Sequence, residues 1–163
     1  MNTKPPVLWI VLLCVCCALL EYAPFPGFAQ SARVFEFGLF PVAAAVAYLG
    51  PAHAVAAALV SGLVLDTGSA LPVHLPVFAA YAATGLFVSR HFYSPRSLFH
   101  IAAQAALIAA AHFALYACAL YPWTWNDFEW VSCARAAGMN AAAGCVILIL
   151  WPIRKRKFSV YRA

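Results

Sequence analysis

An all-α bundle of membrane-crossing helices is the fold class this sequence predicts, and three observations carry it. Hydrophobic residues fill 66% of the 163 positions, and charged residues only 9%. The charges are gathered into short places, which leaves uncharged runs at 5–20, 37–65, 67–89, 97–126 and 136–153. Several of these reach or exceed the ~18–20 residues that a membrane-spanning helix requires. A water-soluble domain of 17.5 kDa carries roughly a quarter charged residues and cannot hide this much apolar surface, so most soluble enzymes are excluded. One membrane domain over 1–153 and a basic tail over 154–163 describe the organisation.

The first span covers about 5–22 and stops at Pro24-Phe25-Pro26-Gly27, whose two prolines and glycine do not continue a helix. The run 37–65 is interrupted by Gly50-Pro51, where glycine suits a helix C-terminus and proline the first turn of the next helix. It divides into segments of about 35–49 and 51–65. At ~1.5 Å per residue, each falls short of a ~30 Å hydrocarbon core, so the alternatives are two short crossings, a re-entrant hairpin or a locally thinned bilayer. Further spans cover about 72–89, 97–121 and 132–152, giving six in all. The N-terminus has a second reading, a secretory signal cut after Ala29 in Gly27-Phe28-Ala29, which leaves five spans in the same orientation.

Lys and Arg set that orientation. With six crossings and a cytoplasmic N-terminus, Lys4, Arg90, Arg96 and the tail residues Arg154, Lys155, Arg156, Lys157 and Arg162 are cytoplasmic, and only Arg33 and Arg135 lie outside. All five carboxylates, Glu21, Glu36, Asp66, Asp127 and Glu129, then fall toward the outer side. A single kinked helix over 37–65 would put the basic tail outside, against the positive-inside rule. Both termini are therefore expected in the cytoplasm. The pI near 9.0 arises largely from that tail, which reads as a topology signal and an anionic-lipid contact and implies no nucleic acid. Tyr121, Trp123, Trp125, Phe128 and Trp130 gather in the outer loop before the last span, as an interfacial anchor or as a docking surface for an extracytoplasmic partner.

Few residues have the spacing of a chemical site. The cysteines Cys14, Cys16, Cys17, Cys118, Cys133 and Cys145 suit small apolar packing better than metal, since thiolates buried in lipid without partners are costly. The histidines form no metal-ligand pattern, and no metal or cofactor is expected. His100, with Gln104 one turn on, makes a polar face that suits a hydrogen bond to a neighbouring helix. Small residues recur every fourth position at Ala54, Ala58 and Gly62, at Ala102, Ala106, Ala110 and Ala114, and at Ala134, Gly138 and Ala142. Such stripes permit close helix approach, within the bundle or toward another membrane subunit. Asp66 closes an apolar span directly, either solvated at the interface or drawn inward to a partner such as Arg135.

The stretch Gly62-Leu63-Val64-Leu65-Asp66-Thr67-Gly68-Ser69-Ala70-Leu71-Pro72-Val73-His74, followed by an apolar span, resembles the signature of the bacterial rod-shape-determining protein MreD family. Tyr93-Ser94-Pro95-Arg96-Ser97-Leu98, leading into an Ala-rich helix, is similar to that family too, and the resemblance covers about 55–115. His74 departs from it, standing where the family often has glycine. The resemblance implies a non-enzymatic inner-membrane component of the cell-elongation machinery. Its partners would be membrane lipids, an MreC-like single-span protein and, through it, the actin-like cytoskeletal protein and the peptidoglycan-synthesis enzymes. Gly62, Asp66, Gly68 and Ser69 would fix the outer end of span three, the small-residue stripes would dock the partner helix, and Arg135 is the candidate ion-pair partner. The rival reading is the substrate-binding membrane subunit of a vitamin-type energy-coupling-factor transporter, with a polar outer pocket built from Asp66, Arg135, Asn140 and the Trp-rich loop. An enzyme is not expected, because no Ser-His-Asp, metal-ligand or paired-carboxylate constellation has usable spacing.

Overall fold

Apolar runs bounded by glycine, proline or charge have one way to satisfy their backbone without water, which is to close every N–H on a carbonyl four residues back. The computed structural model describes residues 7–22, 35–67, 71–91, 97–120 and 130–150, and among these every regular element is helical. Helix α1 spans Val7–Tyr22, α2 Leu39–Leu49, α3 Pro51–Thr67, α4 His74–His91, α5 Leu98–Leu120 and α6 Trp130–Leu150. The all-α expectation and the six segments are met, each within a few residues. Two helices, Leu98–Cys118 within α5 and α6, are long and apolar enough to cross a membrane, and α1, α2 and α3 are shorter apolar helices. The basic tail and most of the Trp-rich loop lie outside the described residues.

The break at Gly50-Pro51 is real and has a local cause. Gly50 adopts φ 103°, a conformation that side-chain-bearing residues avoid, and its N–H closes on the Ala45 carbonyl at 3.0 Å. That bond spans five residues, so Ala45–Leu49 forms a π-helical end to α2. Pro51, which lacks an N–H, opens α3 where the missing donor has no helical partner in any case. The Tyr48 hydroxyl donates to the Leu148 carbonyl near the end of α6, satisfying an acceptor that the helix end leaves open.

At its other end α2 is shorter than the 35–49 segment expected from sequence. Phe35–Gly38 form a turn, with Leu39 N–H bonded to the Glu36 carbonyl at 3.0 Å. The Glu36 N–H is held by the Asn140 side-chain oxygen at 2.9 Å, and Asn140 is the midpoint of the 21-residue α6. Helix α2 is therefore a half-length element that starts at mid-height of α6 and ends near its C-terminus. It touches all five other helices, and Leu39, Val42, Ala43, Ala44 and Ala45 are at most 1% exposed. Around this central rod, α3 packs on α4 and on α1, α4 on α5, and α5 on α6.

The distribution of polarity is inverted relative to a water-soluble bundle. Ser61, His100, Gln104, His112 and Asn140 are at most 1% exposed, while Leu8, Trp9, Phe87, Leu98, Phe99, Val131 and Leu150 are each more than 60% exposed. Some of these interior polar groups bind helix to helix. The Gln104 oxygen accepts from the Tyr81 hydroxyl at 2.9 Å, and its amide nitrogen donates to the Gly85 carbonyl and to Ser89 Oγ, both at 3.2 Å. The polar face expected of His100 and Gln104 is thus turned inward, and Gln104 fastens α5 to α4.

Candidate functional site: a joint and a buried polar cluster

Asp66 ends α3, where a carboxylate meets the negative end of a helix dipole and is disfavoured. The start of α4 reverses the balance. One Asp66 oxygen accepts from the His74 N–H and contacts His74 Nδ1, each at 2.9 Å, and the other accepts from the Leu75 N–H at 2.9 Å. A single side chain thereby satisfies two of the four N–H groups that the first turn of α4 leaves unbonded. An ionised carboxylate only accepts, so His74 Nδ1 carries the hydrogen in that contact. The imidazole also packs edge-on against Phe78, with centroids 6.1 Å apart. His74 therefore completes the joint with both its backbone and its ring.

Gly62 allows the helices to come this close. A Cβ there would lie 2.6 Å from Leu75 Cα and 3.0 Å from Leu75 N, so main chain would meet main chain. Among the sequence-chosen residues, the structure brings together Gly62 and Asp66. Gly68 and Ser69 lie outside the described residues. Arg135 stands exposed on α6, while the contacts of Asp66 just described run to the start of α4.

A second group of polar residues was not assembled by sequence reasoning. Glu21 lies in the last turn of α1 and Glu36 in the turn before α2. Gly38 N–H donates to Glu21 Oε2 at 3.4 Å, placing that carboxyl at the N-terminal end of α2. Glu36 Oε1 approaches His112 Nδ1 of α5 at 3.3 Å, and both side chains are largely buried. Asn140 of α6 completes the group. Its oxygen accepts from Glu36 N–H, its nitrogen donates to the Ala136 carbonyl at 3.0 Å, and that nitrogen lies 3.3 Å from His112 Nδ1. The available signal was that Glu21 and Glu36, like Asp66, bound apolar runs directly. What the sequence lacks is any sign that positions 36, 112 and 140 meet.

The cysteines divide by helix face, with Cys14 and Cys133 fully buried and Cys16 and Cys118 exposed. No set of three His, Cys, Asp or Glu side chains among the described residues has metal-holding geometry. The small-residue stripes also divide. Ala54, Ala58 and Gly62 are buried, whereas Ala102, Ala106 and Ala110 on α5 and Ala134, Gly138 and Ala142 on α6 face outward. No family model, curated protein or solved structure matches the chain.

Proposed function

We propose that this chain is a non-enzymatic, multi-pass protein of the bacterial inner membrane that acts as a structural adaptor in the cell-elongation, peptidoglycan-synthesis complex. The observation that carries the membrane part is the inverted polarity. Large apolar side chains cover the outward faces of several helices, and polar ones such as Gln104 and Asn140 are buried inside, an arrangement stable where the surroundings are lipid. Glu21 and Asp66 close α1 and α3, helix ends that face outward in a topology with both termini cytoplasmic, whereas Glu36 lies beside the midpoint of α6. In that topology the half-length α2 carries the chain from mid-height toward the cytoplasmic side rather than crossing as a full helix.

The adaptor role rests on the MreD-like Gly62-to-His74 segment, whose Gly62, Asp66 and His74 join α3 to α4, and on the outward small-residue faces of α5 and α6. Such faces let a single-span helix approach closely, as binding to an MreC-like partner would require. The basic tail would hold the cytoplasmic side on anionic lipid. One observation favours a second reading, the substrate-binding subunit of a vitamin-type transporter: Asn140, placed in that pocket from sequence, does join a buried polar cluster.

Mild-detergent purification of the tagged protein from its native host, followed by mass spectrometry of co-purifying proteins and small molecules, separates the two. The adaptor reading expects an MreC-like protein and wall-synthesis enzymes. An ATPase module, or a tightly held vitamin, overturns it.

A further inference from the structure

The seam between α5 and α6 can be followed rung by rung. Ile108 of α5 lies against Gly144 of α6, and His112 Nδ1 is 3.3 Å from the Asn140 side-chain nitrogen. As the numbers rise on α5 they fall on α6, so the helices are antiparallel and their buried residues continue in step. On α5 the next buried position is Leu115, and on α6 the next are Ala137 and Ala136. One further helical step brings Cys118 on α5 and Cys133 on α6, each three residues on from a seam residue and on the same face as it. The helices are still in contact at this end, where the Phe113 and Trp130 rings have centroids 5.6 Å apart. Helix α2 begins level with Asn140, so beyond that point α6 has α5 as its packing partner. Cys133 is fully buried there, and Cys118 is exposed.

We propose that Cys118 and Cys133 are a disulfide-forming pair that closes across the α5–α6 seam at the joined ends of these helices. Both thiols are free in this structure, which is the reduced form. A bridge needs Cα atoms within ~7 Å, and the small residues Ala136, Ala137 and Gly144 on the α6 side of the seam allow the close approach of α5. The difference in exposure orders the chemistry. The accessible Cys118 thiolate attacks the disulfide of an oxidised dithiol carrier, giving a mixed disulfide and one carrier thiolate. The Cys133 thiolate then attacks the Cys118 sulfur and expels the second carrier sulfur. The carrier leaves with two electrons and the two protons that the cysteines gave up. Closure ties the last turn of α5 to the first turn of α6 and makes a ring of the connection 119–132, which carries most of the aromatic cluster. Cys14, Cys16 and Cys17 lie on α1 and Cys145 in the other half of α6, away from this rung. That the pair meets an oxidising compartment rests on the proposed topology, in which these helix ends face outward.

The test is mass spectrometry of the full chain in lipid nanodiscs, incubated with glutathione disulfide, alkylated and digested without reduction by a protease that cuts at aromatic residues. Trp123 and Trp125 lie between the two cysteines, so the digest puts them on different peptides. The peptides are expected to be found joined, and the link to be lost in Cys118→Ser and in Cys133→Ser. Alkylation of both cysteines overturns the pair, and so does a Cys118 that stays capped by glutathione while Cys133 is alkylated. The same digest of cells alkylated before lysis reads the compartment, and the link is expected there too. A pair that closes in nanodiscs but is fully alkylated in cells keeps the site and overturns the outward placement of these helix ends. A wrong site and a wrong topology therefore give different results. The nanodisc result comes from the native chain and stands even if a Ser variant fails to fold.

Discussion

The stripe Ala54, Ala58, Gly62 on α3 and the stripe Ala134, Gly138, Ala142 on α6 have the same spacing and nearly the same composition, yet opposite surroundings. On α3 the stripe is buried, and a Cβ at Gly62 would strike the backbone of α4 at 2.6 Å. On α6 it is exposed, and a Cβ at Gly138 would meet nothing within 4 Å. A spacing of four residues therefore specifies that a close approach is allowed, and the neighbouring elements decide which helix makes it. Within this chain α3 packs on α4 and α1 with its small face buried, while α6 turns its own outward and packs on α5 and α2 with Cys133, Ala136, Ala137, Asn140 and Gly144 buried. Gly144 is the close contact of that inner face, against Ile108.

The sharpest way to break the comparison is Gly62→Ala. The obstructing atoms belong to the main chain of Leu75, so no rotamer change relieves them, and α4 has to move as a unit. The expected loss is about 3 kcal/mol of stability, the upper end of the range for overpacked cores. Denaturant unfolding in detergent micelles reads it, and a loss below about 1 kcal/mol would mean that the α3–α4 contact is looser than described.

Asp66→Ala comes next. It removes three bonds but leaves the helix faces intact, and the freed N–H groups of His74 and Leu75 sit near a helix end where water can reach them. A loss of about 2 kcal/mol is expected, between a typical cap and a charge-assisted bond. Asp66→Asn keeps an acceptor and should lose about half as much, a difference that separates the capping role from the charge. If both variants unfold as the native protein does, the joint is held by Gly62 packing alone.

How legible each region was follows from sequence distance. Asp66 and His74 are eight residues apart at the facing ends of two apolar runs, so their proximity follows from the shortness of the connection. The same holds for Gly50-Pro51, where a positive φ and a missing N–H act on neighbouring residues. Glu36 and Asn140 are 104 residues apart, and Glu36 and His112 meet only because α2 begins halfway up the bundle. Nothing in the apolar pattern of 37–65 marks that start, since the pattern continues unbroken through Phe37 and Gly38. Periodicity likewise gave the stripes but not their direction, because in lipid the outer face of a helix is as apolar as the inner one.

The smallest effect on stability, and the most informative for function, is expected at Gly138. Gly138→Leu places a bulky side chain on an outward face with open space around it, so the unfolding free energy should change by no more than about 0.5 kcal/mol, as for ordinary surface substitutions. If a partner helix uses that face, the same substitution pushes it away from the α6 backbone. Co-purification with the proposed MreC-like partner should then fall by at least about tenfold, equivalent to about 1.4 kcal/mol. Gly62→Ala would lower the same yield only in proportion to the folded protein remaining. A Gly138→Leu protein that keeps its partner in full would assign the α6 stripe to lipid and leave the outward face of α5, with Ala102, Ala106 and Ala110, as the surface to test by the same substitution.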